Sequence, residues 1–307
     1  MSKSMKEKPF LFGDHKSLFG IVTEPRGGLD VSQPGIIILN AGIVHRIGPH
    51  RKSVKIARRL ADQGFLVMRF DQSGIGDSEP RRDALSFDDG ALDDIRQAVE
   101  HLQDTRKIDR FILMGLCSGA DNSYQTAIRD QRIVGITLID GYAYKTPEYY
   151  LRYYGARLGK LQSWKSFTRR QAARAERKAR DYLGRGRGSD GNGSVEDHAM
   201  PTEQYVREFP PRDEVAAGFR TLVDRGVEIH MCYSAGIERY YNYRNQFHDS
   251  FRDVDFRGRL TLNYFADSNH TFTTLRAQRA LVDAIVAWAV RAFGPVRASV
   301  NAESDSA

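Results

Sequence analysis

Five consecutive residues, Gly115-Leu116-Cys117-Ser118-Gly119, have the types and spacing for nucleophilic chemistry. They follow an apolar run, Phe111-Ile112-Leu113-Met114, and precede a helix-compatible stretch from Ala120 to Arg129. That context reads as a sharp strand–turn–helix elbow. Glycines two residues before and two after let strand and helix approach closely, and the strained turn lifts the middle side chain above the sheet. The lifted atom here is the Cys117 sulfur. Ser118 is the alternative nucleophile, but its position points it into the turn. A thiol attacks as thiolate, and its pKa falls beside a histidine or at a helix N-terminus. The resulting acyl-cysteine would be a thioester, reactive enough to pass its acyl group to water, an amine, an alcohol or a thiol.

Alternating elements frame the elbow. Strands are expected at Leu18–Thr23, 35–39, Phe65–Phe70, Arg110–Gly115, Ile133–Ile139, Val227–Tyr233 and Leu260–Phe265. Helices are expected at Pro49–Gln63, Ser86–Asp104 (capped by Ser86 with Asp89 reaching back), Arg212–Arg225 and Thr271–Phe293. Continuous apolar strands such as Gly35-Ile36-Ile37-Ile38-Leu39 suit burial on both faces, and strands alternating with helices imply a mostly parallel sheet between helical layers. The pattern stops between Tyr142 and Pro211, an insertion of about seventy residues, and then resumes. Expected organisation is therefore a core of residues 1–141 and 212–297, a cap insertion at 142–211 and a disordered polar tail at 298–307.

The 307 residues are 41% apolar and 28% charged, which suits one large α/β domain carrying an insertion. No apolar run reaches the ~18 residues of a membrane span, and the basic start MSKSMKEKPF is not followed by the apolar core of a secretory signal. Two cysteines make no disulfide framework, so a reduced, cytoplasmic protein is expected. The net charge of +7 fits an anionic partner or simply arginine-rich composition; nucleic-acid binding is not expected. No metal-ligand spacing or phosphate-binding glycine loop stands out, so neither cofactor nor metal is expected.

The chain resembles the α/β-hydrolase superfamily over roughly residues 18–141 and 212–293. Besides the elbow, Asp71-Gln72-Ser73-Gly74-Ile75-Gly76-Asp77-Ser78 is similar to the superfamily's D-x-x-G-x-G-x-S turn, which is structural there. The block Asn40-Ala41-Gly42-Ile43-Val44-His45-Arg46-Ile47-Gly48-Pro49-His50-Arg51 looks like a bacterial subgroup that includes hydrolases encoded near exopolysaccharide systems. Two features depart from the common pattern. Cys117 stands for serine, as in dienelactone hydrolases and polyhydroxyalkanoate synthases, and Asn40-Ala41-Gly42 stands for a His-Gly pair.

The resemblance implies the chain order nucleophile, acid, histidine. His270 alone among the eight histidines lies between the last strand and the final helix, and is the expected base. Glu238, the first carboxylate after strand Val227–Tyr233, is the expected acid, with Asp140, at the end of the preceding strand, as the alternative; Asp267 reads as a turn former. The amides of Ser118 and Gly42 (Ile43 next) are the expected oxyanion donors. Cys232, inside a strand, reads as a small buried hydrophobe. Tyr142, Tyr144, Tyr149 and Tyr150 open the insertion and either line an acyl pocket or pack the cap. Residues 151–181 hold ten Lys/Arg against Glu176 and Asp181. That is either a solvated face or an attraction for an acyl group carried on coenzyme A or an acyl carrier protein. The stretch Gly184 to Ser194 reads as a glycine-rich hinge.

The expected activity is cleavage of a small-molecule ester or thioester through Cys117, His270 and Glu238. Acyl transfer to another acceptor and a non-catalytic binding scaffold remain the alternatives.

Overall fold

The computed structural model describes residues 6–158 and 209–294. Eight strands form one sheet in the order β1-β2-β4-β3-β5-β6-β7-β8. Strands β1 (Lys6–Phe12) and β2 (Leu18–Glu24) pair antiparallel to each other, and β2 pairs antiparallel to β4 (Val67–Phe70). From β4 onward every pairing is parallel, through β3 (Gly35–Ile38), β5 (Phe111–Leu116), β6 (Ile133–Ile139), β7 (Glu228–Ser234) and β8 (Leu260–Phe265). The mostly parallel sheet read from the sequence is therefore observed. Strand β1 had no sequence signal of its own. Its Lys6, Glu7, Lys8 and Pro9 are residues that suit an edge strand, where a missing amide costs nothing and charge discourages further pairing.

Both faces of the sheet are covered, which is why the inner strands read as unbroken apolar runs. Alternation still sorts their side chains. Ile36, Ile38, Val67, Ile112 and Met114 pack with α1 (Lys52–Ala61) and the C-terminal helix, while Ile37, Met68, Phe70 and Leu113 face α2 (Phe87–Arg106) and α3 (Ser118–Arg129). Helix α4 (Pro147–Leu158) opens the insertion. Helix α5 (Arg212–Asp224), short α6 (Gln246–Ser250) and α7 (Leu275–Phe293) complete the order. Ser86 caps α2 by accepting from the Asp89 amide. Helix α7 begins four residues later than expected, with Thr274 as its cap, because residues 271–274 are spent in a turn. The expected hinge 184–194, the tail 298–307 and most of the basic stretch lie outside the described residues.

Connections run from β3 outward to β4, then back across to β5 on the other side of β3. Ligand crevices form where strand order reverses in this way, at the carboxyl ends of the strands. Here the crossing is tight. A Cβ on Gly115 would lie 2.0 Å from the carbonyl carbon of Gly119, and one on Gly119 would lie 2.3 Å from the Asn40 carbonyl oxygen. Gly119→Ala should therefore destabilise the protein by about 1–3 kcal/mol or more, because backbone, not a movable side chain, is in the way. Gly155, exposed on α4 with no atom within 4 Å of an added Cβ, is the control. Gly155→Ala should stabilise by roughly 0.5–1 kcal/mol. Urea denaturation of both variants checks the pair; equal stabilities would refute the tight crossing.

Candidate active site

Cys117 sits between β5 and α3 with φ 57° and ψ −120°, a conformation that side-chain-bearing residues avoid. Its amide donates to the Ile139 carbonyl at 2.9 Å, and its own carbonyl accepts the amides of Ala120 and Asp121 as the helix begins. The elbow expected from the glycine spacing is thus formed. The thiol is partly exposed, whereas Cys232 is buried, and neither cysteine is in a disulfide.

His270 lies in the turn between β8 and α7. Gly236, just past β7, makes room for that turn: an added Cβ there would lie 2.1 Å from the His270 amide nitrogen. One face of the imidazole is held by Asp140, with His270 Nδ1 2.7 Å from Asp140 Oδ2. The Cys117 thiol lies beside the ring in the same cleft and acts on its titration. These two contacts, Asp140 first, raise the His270 pKa to about 9 against the opposing effect of burial.

The carboxylate on the histidine corrects the expectation of Glu238. Asp140 is wholly buried at the end of β6, with φ 49°. Its Oδ1 accepts the Ser234 amide at 2.7 Å, and its Oδ2 accepts the Ser234 hydroxyl at 2.8 Å as well as the imidazole. Glu238 follows a short helical turn, Ala235–Ile237, and is exposed on the rim of the cleft. The residue that β7 presents inward is Ser234, and it serves as a clamp on Asp140. A charged residue directly after the apolar strand Ile133–Ile139 was the available signal.

The oxyanion loop also differs from expectation. The Gly42 amide donates to Ser118 Oγ at 2.8 Å, so it reaches an oxyanion only by giving up that hydroxyl. Ile43 is 89% exposed. The loop is fixed by Asn40, whose Oδ1 accepts the Gln72 amide and whose Nδ2 donates to the Val44 carbonyl. Behind it, buried Asp71 accepts the amides of Arg46 and Asp77 and pairs with the Arg46 guanidinium. A Cβ on Gly76 would lie 2.2 Å from Asp71 Oδ2, so the D-x-x-G-x-G-x-S turn braces the loop here.

Above Cys117 and His270 opens a cleft of about 510 Å³, walled by Gly141, Phe209, Ala235, Ile237, Glu238, Arg239 and Tyr240. The four tyrosines expected in a pocket are not among its wall residues. Tyr142 and Tyr149 are buried, the Tyr149 hydroxyl donating to the Glu238 and Arg239 carbonyls, and Tyr144 donates to the Pro210 carbonyl. Tyr150 is 46% exposed and stacks with Tyr154. Among the described residues no group of three His, Cys, Asp or Glu could hold a metal, and no helix is long and apolar enough to cross a membrane.

The family model described as serine aminopeptidase, S33 (Hydrolase_4) matches residues 39–202, more than half of the chain. The chain belongs to this family. No curated protein matches it. Among solved structures it is similar to XC6422 of Xanthomonas campestris, described as an α/β serine hydrolase without lid (17% identity, 97% of this chain and 99% of that one, TM-score 0.54). It is also similar to a proline iminopeptidase of Mycobacterium smegmatis (18% identity, 93% and 98%, TM-score 0.52). A third is the dienelactone hydrolase-like promiscuous phosphotriesterase P91 from metagenomic libraries (12% identity, 95% and 100%, TM-score 0.54). At these identities the likeness establishes the α/β-hydrolase fold. With the family match, the protein is a hydrolase of that superfamily, and Cys117 occupies the elbow of a family named for serine.

The Asp140 contact predicts a titration. His270 should titrate near pH 9 in the wild type and clearly lower, toward its unperturbed ~6.5, in Asp140→Asn, with no change in Glu238→Gln. Since the folded-state value is raised, the contact stabilises fully below about pH 6.5 and loses its effect as pH rises through the folded value. The melting-temperature gap between wild type and Asp140→Asn should therefore narrow at alkaline pH. Histidine ring NMR, assigned with His270→Asn, together with melting curves, measures both; a shift in Glu238→Gln instead would restore Glu238.

Proposed function

We propose that this protein cleaves an ester or thioester by nucleophilic catalysis, with Cys117 as nucleophile, His270 as general base and acid, and Asp140 as the group that orients His270. The observation that carries the reading is the single chain of contacts from a strained, partly exposed thiol through imidazole to a buried carboxylate. His270 with a raised pKa accepts the thiol proton readily, giving a thiolate–imidazolium pair. The sulfur then attacks the acyl carbon. The developing oxyanion is met by the Ser118 amide, the first of α3, whose dipole adds to the stabilisation. As the tetrahedral species collapses, the bond to the leaving alcohol or thiol breaks and that group takes the imidazolium proton. Water, deprotonated by His270, attacks the acyl-cysteine, and the acid leaves as the thiol is restored.

Phe209, Ile237 and Tyr240 on the cleft wall support an apolar or aryl acyl group. The insertion 142–211 is read as a cap over this cleft, on the core formed by 1–141 and 212–297. Two cysteines outside any disulfide support a reducing, cytoplasmic setting. Whether the acyl group arrives on coenzyme A, an acyl carrier protein or a small ester is decided by trial of each donor.

Incubation with p-nitrophenyl esters and acyl-thioesters, followed by intact-protein mass measurement, tests the reading. An acyl mass should arrive on Cys117 and decay to free acid. Cys117→Ala should carry no acyl group and lose at least ~10³-fold in kcat/KM. Asp140→Asn should lose on the order of 10- to 10³-fold, since the thiolate pair forms without it. Full turnover in Cys117→Ala would overturn the assignment; transfer of the acyl group to an added amine in place of water would make the protein an acyltransferase.

A further inference from the structure

Lys52 is the first residue of α1, yet it is only 2% exposed. Three effects oppose a charged lysine there. Burial penalises the ammonium, the positive end of the helix dipole repels it, and among the described residues no carboxylate lies within 4 Å of it. The helix start is itself irregular, with Arg51 left-handed at φ 59° and no side-chain cap. A residue held against such costs has its compensation nearby. The Lys52 Nζ lies 3.5 Å from the Thr271 carbonyl oxygen and 4.9 Å from the centre of the Phe272 ring. These are the two residues that follow His270, and Phe272 is wholly buried in a left-handed conformation, φ 52°. Lys52 therefore grips the catalytic turn from the α1 side. Burial pushes its pKa down to about 8, and the opposing effect comes from the Asp140 carboxylate.

The cavity beside Lys52 measures about 20 Å³ and is lined in part by Asn40, His45 and Ser53. That is room for one water and no substrate group, so Lys52 does not touch substrate. The titratable groups beside this region are His45 of the β3–α1 loop, which lines the cavity, and Asp140 at the end of β6, whose charge acts on Lys52; His270 immediately precedes the Thr271 that Lys52 contacts. In the state read above, Cys117 and Asp140 are negative and His270 is positive, leaving one negative charge in excess. A lysine cation cancels it.

We propose that Lys52 is a positioning residue whose buried charge, fixed on the His270 turn through the Thr271 carbonyl, balances the Cys117–His270–Asp140 chain and sets the pH range in which the thiolate–imidazolium pair exists. This rests on the proposed function. A nearby cation favours the thiolate, so while Lys52 is charged it draws the thiol transition toward lower pH. The test follows the rate of Cys117 alkylation by iodoacetamide across the range in which cysteine and histidine titrate, read by mass, with buried Cys232 as internal control. Lys52→Met removes charge and donor; Lys52→Gln removes the charge and keeps a donor for Thr271. The low-pH limb, where the thiol loses its proton and Lys52 is charged, should move to higher pH by about one unit in each variant, while the limb near the His270 value stays, because Lys52 is already neutral there. A low-pH limb that stays in place in both variants, whatever the height of the plateau, overturns the charge role, since a merely structural residue changes the rate without moving the limb. A wild-type Cys117 that reacts no faster than Cys232 would instead sink the proposed function, leaving the two failures distinct.

Discussion

A carboxylate with no contact with solvent is tolerable only if its lone pairs are met by donors, and Asp140 is such a group. Three donors converge on it: the Ser234 amide, the Ser234 hydroxyl and the His270 ring. They come from two different elements, the end of β7 and the turn after β8, while Asp140 ends β6. The requirement to satisfy one buried charge thus ties three neighbouring strand ends together. It fixes the imidazole plane and leaves the other ring nitrogen for the thiol. Gly236 is part of the same arrangement, since a side chain there would push the histidine turn away.

The Cys117 side is held by close backbone approach. Gly115, Gly119 and the Asn40 carbonyl meet at distances that exclude a methyl group, so the elbow, β5 and the β3–α1 loop pack backbone against backbone. That loop is secured from behind by the buried Asp71–Arg46 pair and by the Arg46 guanidinium over the Phe19 ring, 4.2 Å from its centre. A strained residue persists where its surroundings over-determine it, and Cys117 is surrounded in this way.

A cysteine changes what these constraints must achieve. A serine needs its base to remove a proton of high pKa during attack; a thiol can lose its proton beforehand to a histidine whose pKa is raised. The electrostatic environment of the resting site then matters as much as the geometry of attack. In that light the buried Lys52, costly by every local measure, is the residue to which we assign the compensating positive charge.

The sequence by itself determined whatever depends on neighbours along the chain. Glycine spacing around Cys117 specified the elbow, because the clash it avoids lies within the same strand–turn–helix unit. Unbroken apolar runs specified a sheet covered on both faces, and the position of His270 between the last strand and the last helix singled it out. Tertiary structure decided what depends on which strand ends lie side by side. Counting carboxylates after β7 selected Glu238, but the end of β6 lies next to β7 in the sheet, and from there Asp140 meets the histidine while Glu238 turns to solvent. The partner of the Gly42 amide, 76 residues away, was equally hidden. So was Lys52, whose hydrogen-bond partner, the Thr271 carbonyl, is 219 residues distant. Tyrosines 142 and 149 looked like pocket residues by type, yet their rings are buried and their polar groups bond within the protein. Local rules report the conformation a segment prefers; which charges must satisfy one another is set only when the sheet brings distant segments within hydrogen-bond reach.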